Sequence, residues 1–144
     1  MIPVKIRLYS NANIPQYKSK GSAGADIQAK LESPITIDPG KIELIPTGIA
    51  IEMPEGYEAQ IRPRSGLAIN HGLTLLNSPG TIDSDYRGEI KIILANFGEK
   101  PFVVEDGMRI AQMVFCRVFK GKFQIVDNIN PTERNKGGFG HTGI

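Results

Sequence analysis

A single cysteine stands among the 144 residues, so no intramolecular disulfide can form, and Cys116 inside the apolar run MVFCRVF reads as a buried strand thiol. That favours a reducing compartment. No apolar stretch approaches the ~20 residues that a membrane span needs. The N-terminus MIPVKIRLYS shows neither a signal-peptide apolar region nor an Arg-rich amphipathic pattern. The expectation is a soluble protein of the cytoplasm. An excess of one charge is missing too: the formal net charge is +2, with no block of like charges, which argues against a grip on nucleic acid or a membrane surface. Any anionic partner is expected to be small. Motif absences prune the enzyme classes further. No G-x-S-x-G, H-E-x-x-H, paired C-x-x-C or G-x-x-x-x-G-K-[ST] occurs, so elbow-type serine hydrolases, zinc proteases, zinc fingers and Walker-type nucleotide sites lack their signatures. His71 and His141 stand apart without a clustered ligand set, and ordinary turn or surface duty explains each.

With 40% hydrophobic and 22% charged residues, the chain suits one compact domain with a proper core. Period-two alternation dominates it. Val4, Ile6 and Leu8 alternate with Lys5, Arg7 and Tyr9; Ile35 and Ile37 follow, then Ile42 and Leu44, then Ile49, Ile51 and Met53, as in half-buried strands. Pro39-Gly40, Pro46-Thr47-Gly48 and Pro54-Glu55-Gly56 read as turns between them. GEIKIILANFG, PFVVEDG, RIAQMVFCRVF and KFQIVD continue the strand pattern, and only SGLAIN, residues 65 to 70, can turn as a helix. The fold class is all-β, a sandwich or barrel over residues 1–127, followed by a polar segment, 128–144. Its last part, RNKGGFGHTGI, cannot build a core and is expected to be mobile. It is either a frayed terminus or a strap that closes over an anionic ligand.

Four stretches carry chemistry. SAGAD, residues 22 to 26, sets small residues before a carboxylate, which lets backbone approach a ligand closely; a tight turn explains it equally well. In RPRSG, residues 62 to 66, Arg62 and Arg64 flank a proline, and Ser65 with Gly66 opens a helical turn, so guanidinium, hydroxyl and free N–H groups can converge on a phosphate. The plainer alternative pairs Arg62 with a carboxylate. GTIDSDYRGE, residues 80 to 89, puts Asp83 and Asp85 two apart on an expected extended segment, facing the same way. That is a solvated turn, or a general base, Asp83 or Asp85, with Tyr86 as a wall for a ring or sugar. RIAQM offers Arg109 and Gln112 within an apolar strand, where polar groups need partners.

In this order the pieces resemble the trimeric deoxyuridine triphosphatases (dUTP diphosphatases), whose five motifs correspond to SAGADI, RPRSGLA, GTIDSDYRGE, RIAQMVF and RNKGGFGHTG. The resemblance spans essentially the whole chain. The last motif departs at Asn135, where glycine is usual, and at His141, where serine or threonine is. A dCTP deaminase resembles the same fold but has a longer chain and a glutamate beside the cytosine amine, and a non-catalytic relative would have lost Asp83 or the tail motif. The resemblance implies a distorted jelly-roll, a homotrimer with sites at subunit boundaries, and Mg²⁺-assisted hydrolysis of dUTP to dUMP and pyrophosphate, which limits uracil in DNA and supplies dUMP for thymidylate synthesis. It implies that Asp83 is the general base, that Arg64, Ser65, Gly66 and Gln112 hold phosphate oxygens, and that Asn77 with the backbone of Thr81, Ile82 and Asp83 reads the uracil edge. Lys91 would act through its backbone and Tyr86 would pack on the deoxyribose. Asp26 would lie near metal-bound waters, and Arg134, Phe139 and Gly140 would come from the tail.

Overall fold

The computed structural model describes residues 1–139 and 141. Ten strands and one helix follow in the order β1 (Lys5–Leu8), β2 (Ala25–Gln28), β3 (Ile35–Ile37), β4 (Ile42–Glu52), β5 (Tyr57–Arg62), α1 (Ser65–His71), β6 (Leu73–Leu75), β7 (Gly80–Ile82), β8 (Ile90–Asn96), β9 (Phe102–Val104) and β10 (Arg109–Arg117). One sheet has the order β1-β4-β8-β6 and a second β2-β10-β5-β7, while β3 and β9 form a short ribbon. Neighbours far apart in sequence, all antiparallel, make a distorted jelly-roll sandwich. The inward residues of both sheets form one apolar core, with Ile27, Ile61 and Met113 meeting Ile45, Ile49, Ile92 and Leu94. No helix among the described residues is long and apolar enough to cross a membrane.

The structure corrects four local expectations. Pro46-Thr47-Gly48 is no turn: β4 runs through it as a bulge, where the register with β8 shifts between Pro46 and Ile49. Gly48 takes φ 66 there and packs so closely that a Cβ would stand 2.7 Å from Ala12 Cβ, so glycine is required on both counts. Ile42 and Leu44 face outward because they alternate out of phase with Ile45, Ile49 and Ile51, which point into the core, and the bulge adds two residues and so keeps the strand's faces in step. KFQIVD forms no strand, and Phe123, Ile125 and Ile129 are fully or nearly fully exposed, because no strand of the same chain lies beside them to complete a ladder. Cys116 is only partly buried, because it lies on the outer face of β10 opposite Glu58.

Asn96, 1% exposed, fastens the end of β8. Its Nδ2 donates to the carbonyls of Ile37 (2.8 Å) and Lys100 (2.9 Å), and its Oδ1 accepts from the Gly98 N–H at 2.9 Å. Beside it Gly72 and Gly98 touch, a Cβ on Gly72 coming 2.4 Å from Gly98 N, and the His71 ring meets Phe102 edge-on at 5.0 Å. Asn96→Ala strands buried groups that each cost about 1–3 kcal/mol when unpaired, so a loss of roughly 3 kcal/mol or more in a denaturant titration is expected.

A second tie joins the turn before β10 to the connection after β2. Asp106 accepts from the Leu31 N–H at 2.8 Å and from Lys30 Nζ at 3.2 Å, and these bonds, the Leu31 one foremost, hold its carboxyl below the ordinary 3.8. A lowered carboxyl contributes stability that is complete above the ordinary value and is lost as pH falls through the lowered one. Asp106→Ala is expected to melt earlier than the parent near neutral pH. The gap should shrink steadily below pH 3.8 in thermal melts taken across the acid range.

Candidate functional site

Asp26 in β2 lies opposite Gln112 in β10, which lies opposite Arg62 in β5, so the three side chains share the outer face of one sheet. Their chain neighbours Ala25, Met113 and Ile61 are buried on the other face. Two guanidiniums pair with the Asp26 carboxylate: Arg64 Nε is 3.3 Å from Oδ1, and Arg109 Nη1 is 3.0 Å from Oδ2. Arg64 Nη1 also donates to the Arg109 carbonyl at 2.9 Å, and Gln112 Nε2 donates to the Pro63 carbonyl at 3.0 Å. Gly24 presses on the same amide, since a Cβ there would stand 2.3 Å from Gln112 Oε1. SAGADI, RPRSG and RIAQM therefore meet at one place. Among the described residues Arg62 makes no carboxylate pair and instead donates to Gln60 Oε1, whereas Arg64 carries the ion pair. Ser65 and Gly66 open α1, where no side chain caps the helix and the first N–H groups have no intrahelical partner.

A separate groove, of about 490 Å³, is built on the connection from β7 to β8, strands of different sheets. Its walls include Thr81, Ile82, Asp83, Tyr86 and Lys91, with Leu44 of β4 behind them. The extended run expected over residues 83 to 85 is corrected: these residues form a turn that the Tyr86 N–H closes onto the Asp83 carbonyl at 3.1 Å. Aspartate and serine favour such a turn, and Arg87 braces it by donating to the carbonyls of Ser84 (2.7 Å) and Tyr86 (3.0 Å). The carboxylates consequently divide. Asp83 borders the groove, while Asp85 lines only the hollow on the other side, with Glu55, Glu58 and Lys120, which Asp83 also reaches. The Tyr86 ring lies across Gly88, where a Cβ would come 2.4 Å from the hydroxyl oxygen, and that hydroxyl donates to the Glu89 carbonyl at 3.0 Å. Exposed Asn77 sits beside buried Gly80, whose Cβ would stand 3.0 Å from Asn77 Nδ2.

Within one chain the two groups stay apart. Asp26 and Thr81 stand on the opposite edge strands of one sheet, three strand spacings or about 14 Å from each other. Among the described residues the tail joins neither group: Arg134 Nε donates to the Gly137 carbonyl at 2.9 Å, the Asn135 N–H to Thr132 Oγ1 at 3.0 Å, and Phe139 is fully exposed. Gly140 lies outside the described residues.

Residues 10–143 match the family model described as dUTPase. The chain belongs to the dUTPase family. It is 54% identical over 146 residues to the deoxyuridine 5'-triphosphate nucleotidohydrolase of Caldanaerobacter subterraneus subsp. tengcongensis, covering 99% of both chains. It is 56% identical over 137 residues to the protein of the same name from Chlamydia pneumoniae, covering 94% of each. Among solved structures, the Staphylococcus bacteriophage 80alpha dUTPase with dUPNHPP superposes with a TM-score of 0.90 over 99% of both chains, at 24% identity, which is a likeness of fold.

Beside the motif residues of this dUTPase-family chain, three supporting residues went unassigned in the sequence. Arg109 was marked only as a polar group needing a partner, and its partner is Asp26. Gly88 and Glu89 sit inside the third motif, yet their use as floor and anchor for Tyr86 depends on a tertiary approach that spacing does not encode.

Proposed function

We propose that this chain hydrolyses dUTP to dUMP and pyrophosphate. The observation that carries the reading is near-full-length identity above half to curated deoxyuridine triphosphate nucleotidohydrolases. The site agrees in kind, with a carboxylate and a flat ring on an edge-strand groove and a guanidinium–amide cluster elsewhere. In this reading water attacks the α-phosphorus, Asp83 accepts its proton, the new P–O bond forms, and the bond to the bridging oxygen breaks as pyrophosphate leaves. Arg64, Ser65, Gly66 and Gln112 hold the phosphate oxygens and relieve their developing charge. The free edge of β7 at Thr81, Ile82 and Asp83, with the Asn77 amide, offers uracil a row of donors and acceptors, and Tyr86 lies against the deoxyribose. Lys91 adds a main-chain group from β8, in the other sheet.

Magnesium fits this donor set as a substrate-borne ion. Among the described residues no three His, Cys, Asp or Glu side chains cluster to cage a metal, and Asp26 is already engaged by two guanidiniums. Mg²⁺ binds phosphate oxygens while keeping several waters, and it would supply charge neutralisation, with Asp26 reached through a water. Subunit assembly fits as well. Leu44 and Ile42 on the outer face of β4, Leu76 after β6, and Phe119, Phe123, Ile125 and Ile129 of the C-terminal arm expose more apolar surface than a solitary chain ordinarily leaves in water. We read these as surfaces of a homotrimer in which the Asp26–Arg64–Gln112 cluster of one subunit faces the Asp83–Tyr86 groove of another. The domain then comprises residues 1–127, and 128–144 is the strap, with Arg134, Phe139 and Gly140 closing over the ligand. The lone, unpaired Cys116 accords with a cytoplasmic enzyme.

Asp83→Asn is expected to keep most nucleotide affinity while losing ~10²- to 10⁴-fold in kcat, because the amide keeps size but cannot take the proton. Release of pyrophosphate from dUTP and Mg²⁺ measures it. Near-normal turnover would remove Asp83 from the role.

A chain ending at Thr132 should fold and assemble as before yet lose on the order of 10²-fold in kcat/KM, as positioning and water exclusion fail. Equal rates for the two chains, with assembly followed by light scattering, would make the tail an ordinary frayed end.

A further inference from the structure

Glu89 is joined to three parts of the fold at once. Its carboxylate Oε1 accepts the Gly48 N–H at 2.9 Å, its main-chain carbonyl accepts the Tyr86 hydroxyl at 3.0 Å, and its Oε2 stands 3.8 Å from Lys91 Nζ. Gly48 is itself immobilised. Its carbonyl accepts the Tyr9 N–H at 2.8 Å, and the adjoining Thr47 hydroxyl donates to the Ile90 carbonyl, so the bulge of β4 is stitched to β1's end and to the first residue of β8. The Glu89 side chain is half-buried between them, and Ile90 next to it is 1% exposed.

Tyr86, by contrast, is held by little. The residue is 44% exposed, its ring rests on the bare backbone of Gly88, and the Glu89 carbonyl is the partner of its hydroxyl. A ring that walls a groove from an exposed turn keeps one height only if something rigid fixes its far end. The bulge amide provides that rigidity, and Glu89 transmits it. The Gly48 N–H fixes the carboxylate, the short glutamate stem fixes the main chain, and the main-chain carbonyl fixes the phenol.

We propose that Glu89 is a positioning residue that sets the Tyr86 ring against the sugar and thereby the enzyme's preference for a deoxyribose over a ribose. This rests on the dUTP reading of the site. A ring held flat and low leaves no space for a 2′-hydroxyl, whereas a ring free to swing about its turn opens that space and loses packing on the deoxy sugar. Glu89 touches no reacting atom; it acts through Tyr86.

The test compares kcat/KM for dUTP and UTP in the full chain and in Glu89→Ala, Glu89→Gln and Tyr86→Phe, with melting temperatures beside them. Glu89→Ala is expected to reduce the dUTP:UTP ratio about tenfold, the scale of one lost hydrogen bond, mostly through a higher KM for dUTP. Glu89→Gln keeps an oxygen for the Gly48 N–H and should stay within about threefold of the parent. Tyr86→Phe removes the donor to the Glu89 carbonyl without touching the bulge and should reproduce the Glu89→Ala ratio. An unchanged ratio in Glu89→Ala, with only a lower melting temperature, would overturn the proposal, as would Glu89→Gln failing as badly as Glu89→Ala. Should Glu89→Ala not fold, an unchanged ratio in Tyr86→Phe overturns it alone. The ratio of dUMP to UMP binding, taken by calorimetry on the same proteins, reads the same preference without turnover: the same about tenfold loss supports the tie and an unchanged ratio overturns it. A parent chain that binds dUMP over UMP but releases no pyrophosphate from dUTP would sink the activity reading and leave this one to the binding ratio.

Discussion

The register of β10 between β2 and β5 is the constraint on which core and site both rest. Gln112 stands opposite Asp26 and Arg62, and Met113 stands opposite Ala25 and Ile61. Because side chains alternate strictly, a slip of β10 by one residue would drive Gln112 into the apolar interior, part it from Asp26 and turn Met113 out to water. Burying the Gln112 amide without partners costs about 1–3 kcal/mol, and exposing Met113 forfeits about 1.5–3 kcal/mol of apolar burial. The same choice that packs the core therefore delivers the polar row to the outer face. The register with β2 shifts between Arg109 and Ala111, and this bulge adjusts the start of β10, where Arg109 pairs with Gln28 in the ladder while its guanidinium reaches Asp26.

A second constraint is the bulge in β4, and it connects fold to site through fewer atoms. Its two extra residues keep Ile45, Ile49 and Ile51 on the core face and leave Ile42 and Leu44 on the outer one. Leu44 thus lines the groove beside Asp83 and Tyr86, and at the bulge the Gly48 N–H is left without a ladder partner, which the Glu89 carboxylate supplies. An irregularity in one strand thus becomes the anchor of a turn three strands later in the chain. Bulges recur beside binding sites for this reason: they free a backbone group and re-aim a side chain.

Much of this architecture was legible in the sequence because it is local or periodic. The alternation of β8 and β10, the turns at Pro39-Gly40 and Pro54-Glu55-Gly56, and a helix opening at Ser65 follow from spacing and from glycines that take positive φ. The motifs gave the residues of the Asp26–Arg64–Gln112 cluster, and also Asp83 and Tyr86 on one groove. What spacing hid were decisions made by contacts distant in sequence. Pro46-Thr47-Gly48 has the composition of a turn, and only the pairing of β4 with both β1 and β8 makes it a bulge. KFQIVD has the composition of a strand, but a strand needs a neighbour, and the same chain offers it none. Asp83 and Asp85 obey period two on paper, while Arg87 bonding back to the Ser84 and Tyr86 carbonyls bends the backbone between them.

The tail's two departures from the usual motif differ in physical character. Asn135 takes φ 47, a left-handed conformation that glycine adopts freely and that asparagine tolerates better than other side-chain-bearing residues. The turn it belongs to is closed by the Gly137 N–H on the Arg134 carbonyl at 2.9 Å, so replacing glycine here preserves the backbone path and narrows the conformations open to the free chain. His141 instead adds bulk: its ring packs over Gly137, which could carry no Cβ without meeting it at 2.3 Å. Arg134 meanwhile gives its Nε to Gly137 and not to the body of the protein. These are bonds a few residues long, and they preform a compact loop without tying it to the sandwich. A tail organised in this way has already lost part of its conformational freedom, so in the strap role we propose for it closure over an anion would cost less ordering entropy than a fully extended glycine tail would demand.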